Sequence, residues 1–144
     1  MLLPAPVGPT RATVFPGKIC RLIPPIKFEN MRIARLYVGN EGTGSHIHNH
    51  SAAVNFLVHG LKVWILFPKT DKNTQFLRRN NILYGEIKEN PLEWFERNEK
   101  TLTKNLEKVE IKLQQSGEVF LVPENYYHGV YNLTNVCGIT YSWF

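Results

Sequence analysis

Three of the chain's five histidines stand at alternate positions, His46-Ile47-His48-Asn49-His50, and a fourth, His128, follows in the segment Val122-Pro123-Glu124-Asn125-Tyr126-Tyr127-His128. Residues two apart in an extended strand project from one face. The spacing therefore predicts that His46, His48 and His50 share a face. A His-x-His pair joined by one distant histidine on a β scaffold supplies a three-ligand facial metal site with open positions. Fe(II) and Zn(II) both accept such imidazole ligands. A single histidine on a strand is a structural residue as readily as a ligand. Three stacked on one face carry a crowding cost unless a metal or an acid makes use of them.

Other polar residues gain meaning beside such a site. Lys62 opens an apolar strand seven residues after Asn55. Alone it reads as solvated surface; near a metal, its compact ammonium suits the carboxylate of a co-substrate. Asn55, Thr140, Tyr126 and Asn132 offer further hydrogen bonds. Trp64, Phe67, Trp94, Trp143 and Phe144 stand where core packing explains them, and Tyr126-Tyr127 suit either a pocket entrance or the core.

These residues need a scaffold, and the texture of the chain indicates which. Residues 1–30 hold most of the nine prolines and read as an irregular arm that wraps a neighbouring surface. A domain is expected over 31–144. Arg32–Val38 alternates as a strand should, Gly39–Gly44 forms a turn, and the histidine strand follows. Ala53–His59 and Lys62–Phe67 are further strands separated by Gly60 and closed by Pro68. A helical insertion is expected at about 71–107. Asp71–Arg79 makes a short helix, and Asn90-Pro91 caps a second whose apolar stripe runs through Leu92, Phe95, Leu102 and Leu106. Strands at Val109–Leu113, Glu118–Val122, Gly129–Tyr131 and Gly138–Trp143 complete a mainly β pattern of barrel or sandwich type.

Bulk properties narrow the partners. With 144 residues the chain has the length of one domain, and 43% hydrophobic with 20% charged residues is ordinary for a globular protein. The net charge of +5 is scattered, and no recognition motif accompanies it, so direct nucleic-acid binding is not expected. No apolar run approaches the roughly 20 residues of a membrane helix. The proline-broken start lacks the basic region of a signal peptide, so no membrane association and an intracellular location are expected. Cys137 reads as a buried thiol, Cys20 falls in the arm, and the Asn49 and Asn132 sequons read as chance.

Two blocks of this sequence resemble the jumonji-C (JmjC) domain family. The first runs Gly42-Thr-Gly-Ser-His46-Ile-His48-Asn-His50, through Asn55, to Gly60-Leu-Lys62-Val-Trp64-Ile-Leu-Phe67-Pro68. The second is Gly117-Glu-Val-Phe-Leu-Val-Pro123-Glu-Asn-Tyr-Tyr-His128-Gly-Val-Tyr-Asn132-Leu133. The resemblance implies a double-stranded β-helix (cupin or jelly-roll-like) barrel. It also implies an Fe(II)- and 2-oxoglutarate-dependent dioxygenase that hydroxylates a side chain of a protein substrate. By the same resemblance His128 is the distal metal ligand, Lys62 binds the far carboxylate of 2-oxoglutarate, and Asn55 and Thr140 contact that co-substrate. The chain departs from the family in lacking the carboxylate of its His-x-Asp/Glu pair. Both His46/His48 and His48/His50 can stand in that pair; the second needs no gap, so the metal set is His48, His50 and His128 with His46 in reserve. The chain also reads as a short or truncated member, with few elements before the ligand block and a sheet edge left open. Two other readings stay open: a catalytically silent JmjC-like module that binds partner proteins, and a small-molecule cupin that uses an all-histidine metal without 2-oxoglutarate.

Overall fold

The computed structural model describes residues 31–83 and 87–143. The proline-rich arm over 1–30, with Cys20, and the terminal Phe144 lie outside them. Along the described residues run β1 (Met31–Gly39), β2 (Gly44–His48), β3 (Ala53–His59) and β4 (Leu61–Pro68). Helices α1 (Asp71–Arg79) and α2 (Pro91–Asn105) come next, followed by β5 (Glu110–Gln115), β6 (Val119–Val122), β7 (Tyr126–Asn132) and β8 (Val136–Trp143). The strands form two four-stranded antiparallel sheets, ordered β1-β8-β3-β6 and β2-β7-β4-β5. The chain steps from one sheet to the other at every connection except β4 to β5, where the two helices intervene. The described protein is thus mainly β, an arrangement compatible with a β-sandwich.

The alternation of side chains explains the strands. In β3, Ala53, Asn55 and Leu57 are buried while Val54 and Phe56 are half-buried, the period of two expected when one face meets the core. In β4 the alternation vanishes, and every residue from Lys62 to Phe67 is buried. Both of its faces are covered. Val63, Ile65 and Phe67 join a large cluster with Leu77, Trp94, Phe95 and Leu102 of the helices, whereas Trp64 and Leu66 meet Ala53 and Val122 between the sheets. The larger apolar core therefore lies outside the sandwich, between the second sheet and the helices.

Side-chain caps fix the helices. The Thr70 side chain accepts from the Asn73 N–H, and the Asn90 side chain accepts from the N–H groups of Leu92 and Glu93, with Pro91 at the first helical position. Asn73 is fully buried and holds the insertion shut. Its Nδ2 donates to the carbonyls of Pro68 at 2.8 Å and Glu107 at 3.2 Å, while its Oδ1 accepts the Glu107 N–H at 2.8 Å. The residue entering α1 is thereby tied to the residue that leads into β5. No helix among the described residues is long and apolar enough to cross a membrane.

Asn73→Ala removes three part-buried hydrogen bonds and takes the Asn73 partner from the Glu107 amide and carbonyl, while the Pro68 carbonyl keeps the Thr70 N–H. Urea unfolding should show a loss of about 2–4 kcal/mol. Asn80→Ala, which removes an exposed bond from Nδ2 to the Phe76 carbonyl, should cost less than about 1 kcal/mol.

Candidate metal centre

The site begins with an irregularity. β2 pairs with β7 as Gly44 to Tyr131, Ser45 to Val130, and then His48 to His128. An unbroken antiparallel ladder from Ser45 would bring Ile47, not His48, opposite His128. The extra residue is a β-bulge, which re-aims the side chains beyond it. Ser45 lines an interior cavity. His46 turns to the helix side, its ring 5.2 Å from Trp94 and 6.3 Å from Tyr131, and Ile47 joins the helix-side core. His48 then faces inward beside His128. The expectation that His46, His48 and His50 share one face is corrected here: the bulge sends His46 away and leaves the reserve ligand outside the cluster.

His48, His50 and His128 come together. Each can offer one ligand nitrogen, and these atoms lie within 4.8 Å of one another, so the group could hold a metal ion. The His128 ring is 4.3 Å from that of His48 and 4.5 Å from that of His50. His50 comes from the loop after β2 and is exposed, whereas His128 is 2% exposed. Backbone carbonyls set two tautomers. His48 Nδ1 lies 2.7 Å from the His46 carbonyl, and His50 Nδ1 lies 2.5 Å from that of Ser51. A ring N–H given to a carbonyl leaves the other nitrogen with its lone pair free, the arrangement that orients metal-binding histidines. His50 Nε2 and His128 Nε2 are 3.1 Å apart. Two bare lone pairs at that separation repel, and a proton on one nitrogen or a shared cation would relieve the repulsion.

Burial keeps His128 and His48 neutral. Desolvation, helped by repulsion from His48 and His50, pushes His128 down to about 3, with the Tyr126 backbone opposing the shift. Desolvation also lowers His48, against the His46 carbonyl, which favours its charged form. Neutral imidazole is the metal-binding form. Acid must therefore reach well below the usual histidine range before protons displace a metal from His128.

A cavity of about 140 Å³ adjoins the three rings. The second sheet contributes His48, His128 and Trp64, the loop after β2 contributes His50, and the first sheet contributes Asn55 and Thr140. Tyr37 O–H donates to Asn55 Oδ1 at 2.8 Å, and Asn55 Nδ2 donates to Thr140 Oγ1 at 2.8 Å. This directed chain leaves the Thr140 hydroxyl proton available to an acceptor in the cavity. Tyr37 reaches Asn55 across β8 because residue 138 is glycine: a Cβ there would come within 2.2 Å of the Tyr37 oxygen. Trp64 lies flat on Phe120 at 4.5 Å, and Gln114 Oε1 accepts its indole N–H at 2.9 Å.

Lys62 is buried at 4% exposure rather than solvated. Its Nζ stands 3.7 Å from the centre of the Tyr37 ring, and among the described residues no carboxylate pairs with it. Desolvation drops its pKa to about 8. It does not line the cavity itself but reaches the polar chain through Tyr37. Tyr37, Trp64 and Gln114 escaped the sequence reading as site residues. Alternation in β1 could have placed Tyr37 inward, but nothing local shows that β8 opens a gap for it.

An acid titration probes the cluster. The unfolded state binds a proton at His128 near 6.5, whereas the folded state does so only near 3. The stability contributed by neutral His128 is therefore full above pH 6.5 and is lost as the pH falls toward 3. Metal-free protein should show a urea midpoint that declines across this window, and His128→Gln should flatten the decline. No protein-family model and no curated protein matches the chain, so its functional reading rests on the geometry of this site.

Proposed function

We propose that the chain is a cupin-like double-stranded β-helix protein of the JmjC type. In this reading it uses Fe(II) and 2-oxoglutarate to hydroxylate a side chain of a protein substrate. One observation carries the reading: His48, His50 and His128 converge on a cavity whose other wall holds Asn55 and Thr140, with the buried ammonium of Lys62, unpaired among the described residues, on the same inner surface.

The His50–His128 pair has the spacing of metal ligands, with the three ligand nitrogens all within 4.8 Å of one another. Ligand nitrogens about 2.0–2.1 Å from an ion and at right angles to each other lie about 3 Å apart. The His50–His128 nitrogen separation of 3.1 Å agrees with that. Three neutral imidazoles leave the double positive charge of the ion uncompensated, where a carboxylate ligand would halve it. Such a site favours an anionic co-ligand, and a dicarboxylate would meet the ion at one end and Lys62 at the other. When bound, Fe(II) and 2-oxoglutarate would supply oxygen activation coupled to decarboxylation.

The chain's own residues do the rest. Thr140 and Asn55 orient the co-substrate by hydrogen bonds, and the Trp64–Phe120 stack forms an apolar surface that excludes water. The cavity is of the size that holds one small molecule.

Anaerobic calorimetric titration of Fe(II)-loaded protein with 2-oxoglutarate tests the reading. Micromolar, metal-dependent binding is expected, with His128→Ala abolishing it. Metal uptake without 2-oxoglutarate binding would favour a small-molecule cupin, and uptake of neither would favour an interaction module.

Lys62→Met separates function from folding. The folded state disfavours the lysine proton below pH 8, so removing the ammonium should raise stability at pH 7 by about 1–3 kcal/mol. The same variant should weaken 2-oxoglutarate binding at least about 30-fold. Reduced stability together with unchanged binding would place Lys62 outside the co-substrate site.

A further inference from the structure

The two sheets differ in what covers their outer faces. Helices α1 and α2 lie over the second sheet, whereas no described element packs on the outside of the first. Register shows what that outer face consists of. One row across the four strands reads Leu36, Ile139, Phe56, Val119; the next reads Ala34, Tyr141, Val54, Leu121. Val38 and Cys137 pair beyond them, and the register sets the exposed His59 opposite Cys137 on the neighbouring strand, with Val58 at the bulge before it. No Lys, Arg, Asp or Glu stands at these positions. Leu36 is 77% exposed, Val38 78% and Val119 65%.

Scattered apolar side chains on a surface are ordinary, but a contiguous sheet face without a charge is not. Natural sheets guard exposed faces and edges with charges, prolines or a covering element. We propose that this face joins a second copy of the same chain in a two-fold dimer, the two first sheets packed face to face. Two features select a second copy. The face carries no Lys, Arg, Asp or Glu at the paired positions, so two positively charged chains can meet there with no such charge buried unpaired. Four strands at about 4.8 Å spacing and three rows about 6.7 Å apart span roughly 400 Å² in projection, and side-chain relief raises this to about 600 Å². Two copies would together bury about 1,200 Å², the lower end of a stable specific interface.

The dimer uses the outer face of the first sheet, whereas His48 and His128 belong to the second sheet and His50 to the loop after β2, so the metal centre stays open. It stands independently of the oxygenase reading. Sedimentation equilibrium of the full chain from about 1 to 100 μM should show a monomer–dimer equilibrium with twice the chain mass at the upper end. Leu36→Glu and Val119→Glu each bury a charge in the interface and should raise the dimer dissociation constant at least about 100-fold. Both residues are exposed in the described chain, so circular dichroism should show both variants folded. Leu113→Glu, an equally simple change at a 56% exposed position on the second sheet, should leave the equilibrium unchanged. A monomer throughout the range overturns the proposal, since another protein or residues 1–30 must then account for the face. A dimer equally sensitive to Leu113→Glu, or insensitive to the two first-sheet variants, places the contact elsewhere and also overturns it.

Discussion

One extra residue in β2 sets the geometry on which the site depends. With the bulge between Ser45 and His48, His48 faces His128 across the β2–β7 ladder; without it Ile47 would. That single displacement puts an apolar side chain into the helix-side core and an imidazole into the cavity. The close approach of the strands just before the bulge needs Gly44, whose Cβ would otherwise lie 2.2 Å from the Val130 carbonyl oxygen. Gly44 and the bulge therefore act as one device: the first lets β2 lie tight on β7, and the second turns the chain so that the following residues point inward.

The interior between the sheets is built for polarity at some cost in stability. Asn55, Lys62, Gln114 and His128 are all buried there, and a buried lysine or a crowd of imidazoles destabilises a fold unless a partner arrives. Part of the cost is met locally. Gln114 donates to the Asn55 and Glu118 carbonyls and accepts from Trp64, so one side chain binds the two sheets and fixes the cavity wall. The remainder is offset by the apolar cluster of β4, β7 and the helices. The capped helical insertion, tied by Asn73, is thus coupled to the site: the helices bury the outer face of the strands that carry Lys62 and His128. Strain and polarity gather at functional sites and are balanced elsewhere in a fold.

The mainly β pattern and the two helix caps were legible in the sequence because both rest on local chemistry. Period-two alternation in Ala53–His59 and the Asn90-Pro91 signal act within a few residues. The histidines also announced themselves, since His-x-His spacing needs no knowledge of the rest of the chain. Local reading failed where two distant segments meet. His50 and His128 are 78 residues apart, and which of His46, His48 and His50 approaches His128 depends on a bulge formed only by pairing. Lys62 illustrates the same limit: a lysine that opens a strand reads as surface, yet β4 is covered on both sides.

The sequence by itself determined the types of group available: imidazoles in alternation, a lysine near an apolar strand, and prolines, glycines and asparagines where elements start and stop. Tertiary structure alone decided which of them share a space. It sorted His46 from His48, laid Tyr37 across Gly138 to reach Asn55, and set the two helices over the outer face of the second sheet. The physical reason is that side-chain direction in a strand follows from its ladder, and a ladder belongs to two segments at once, so no single stretch of sequence encodes it.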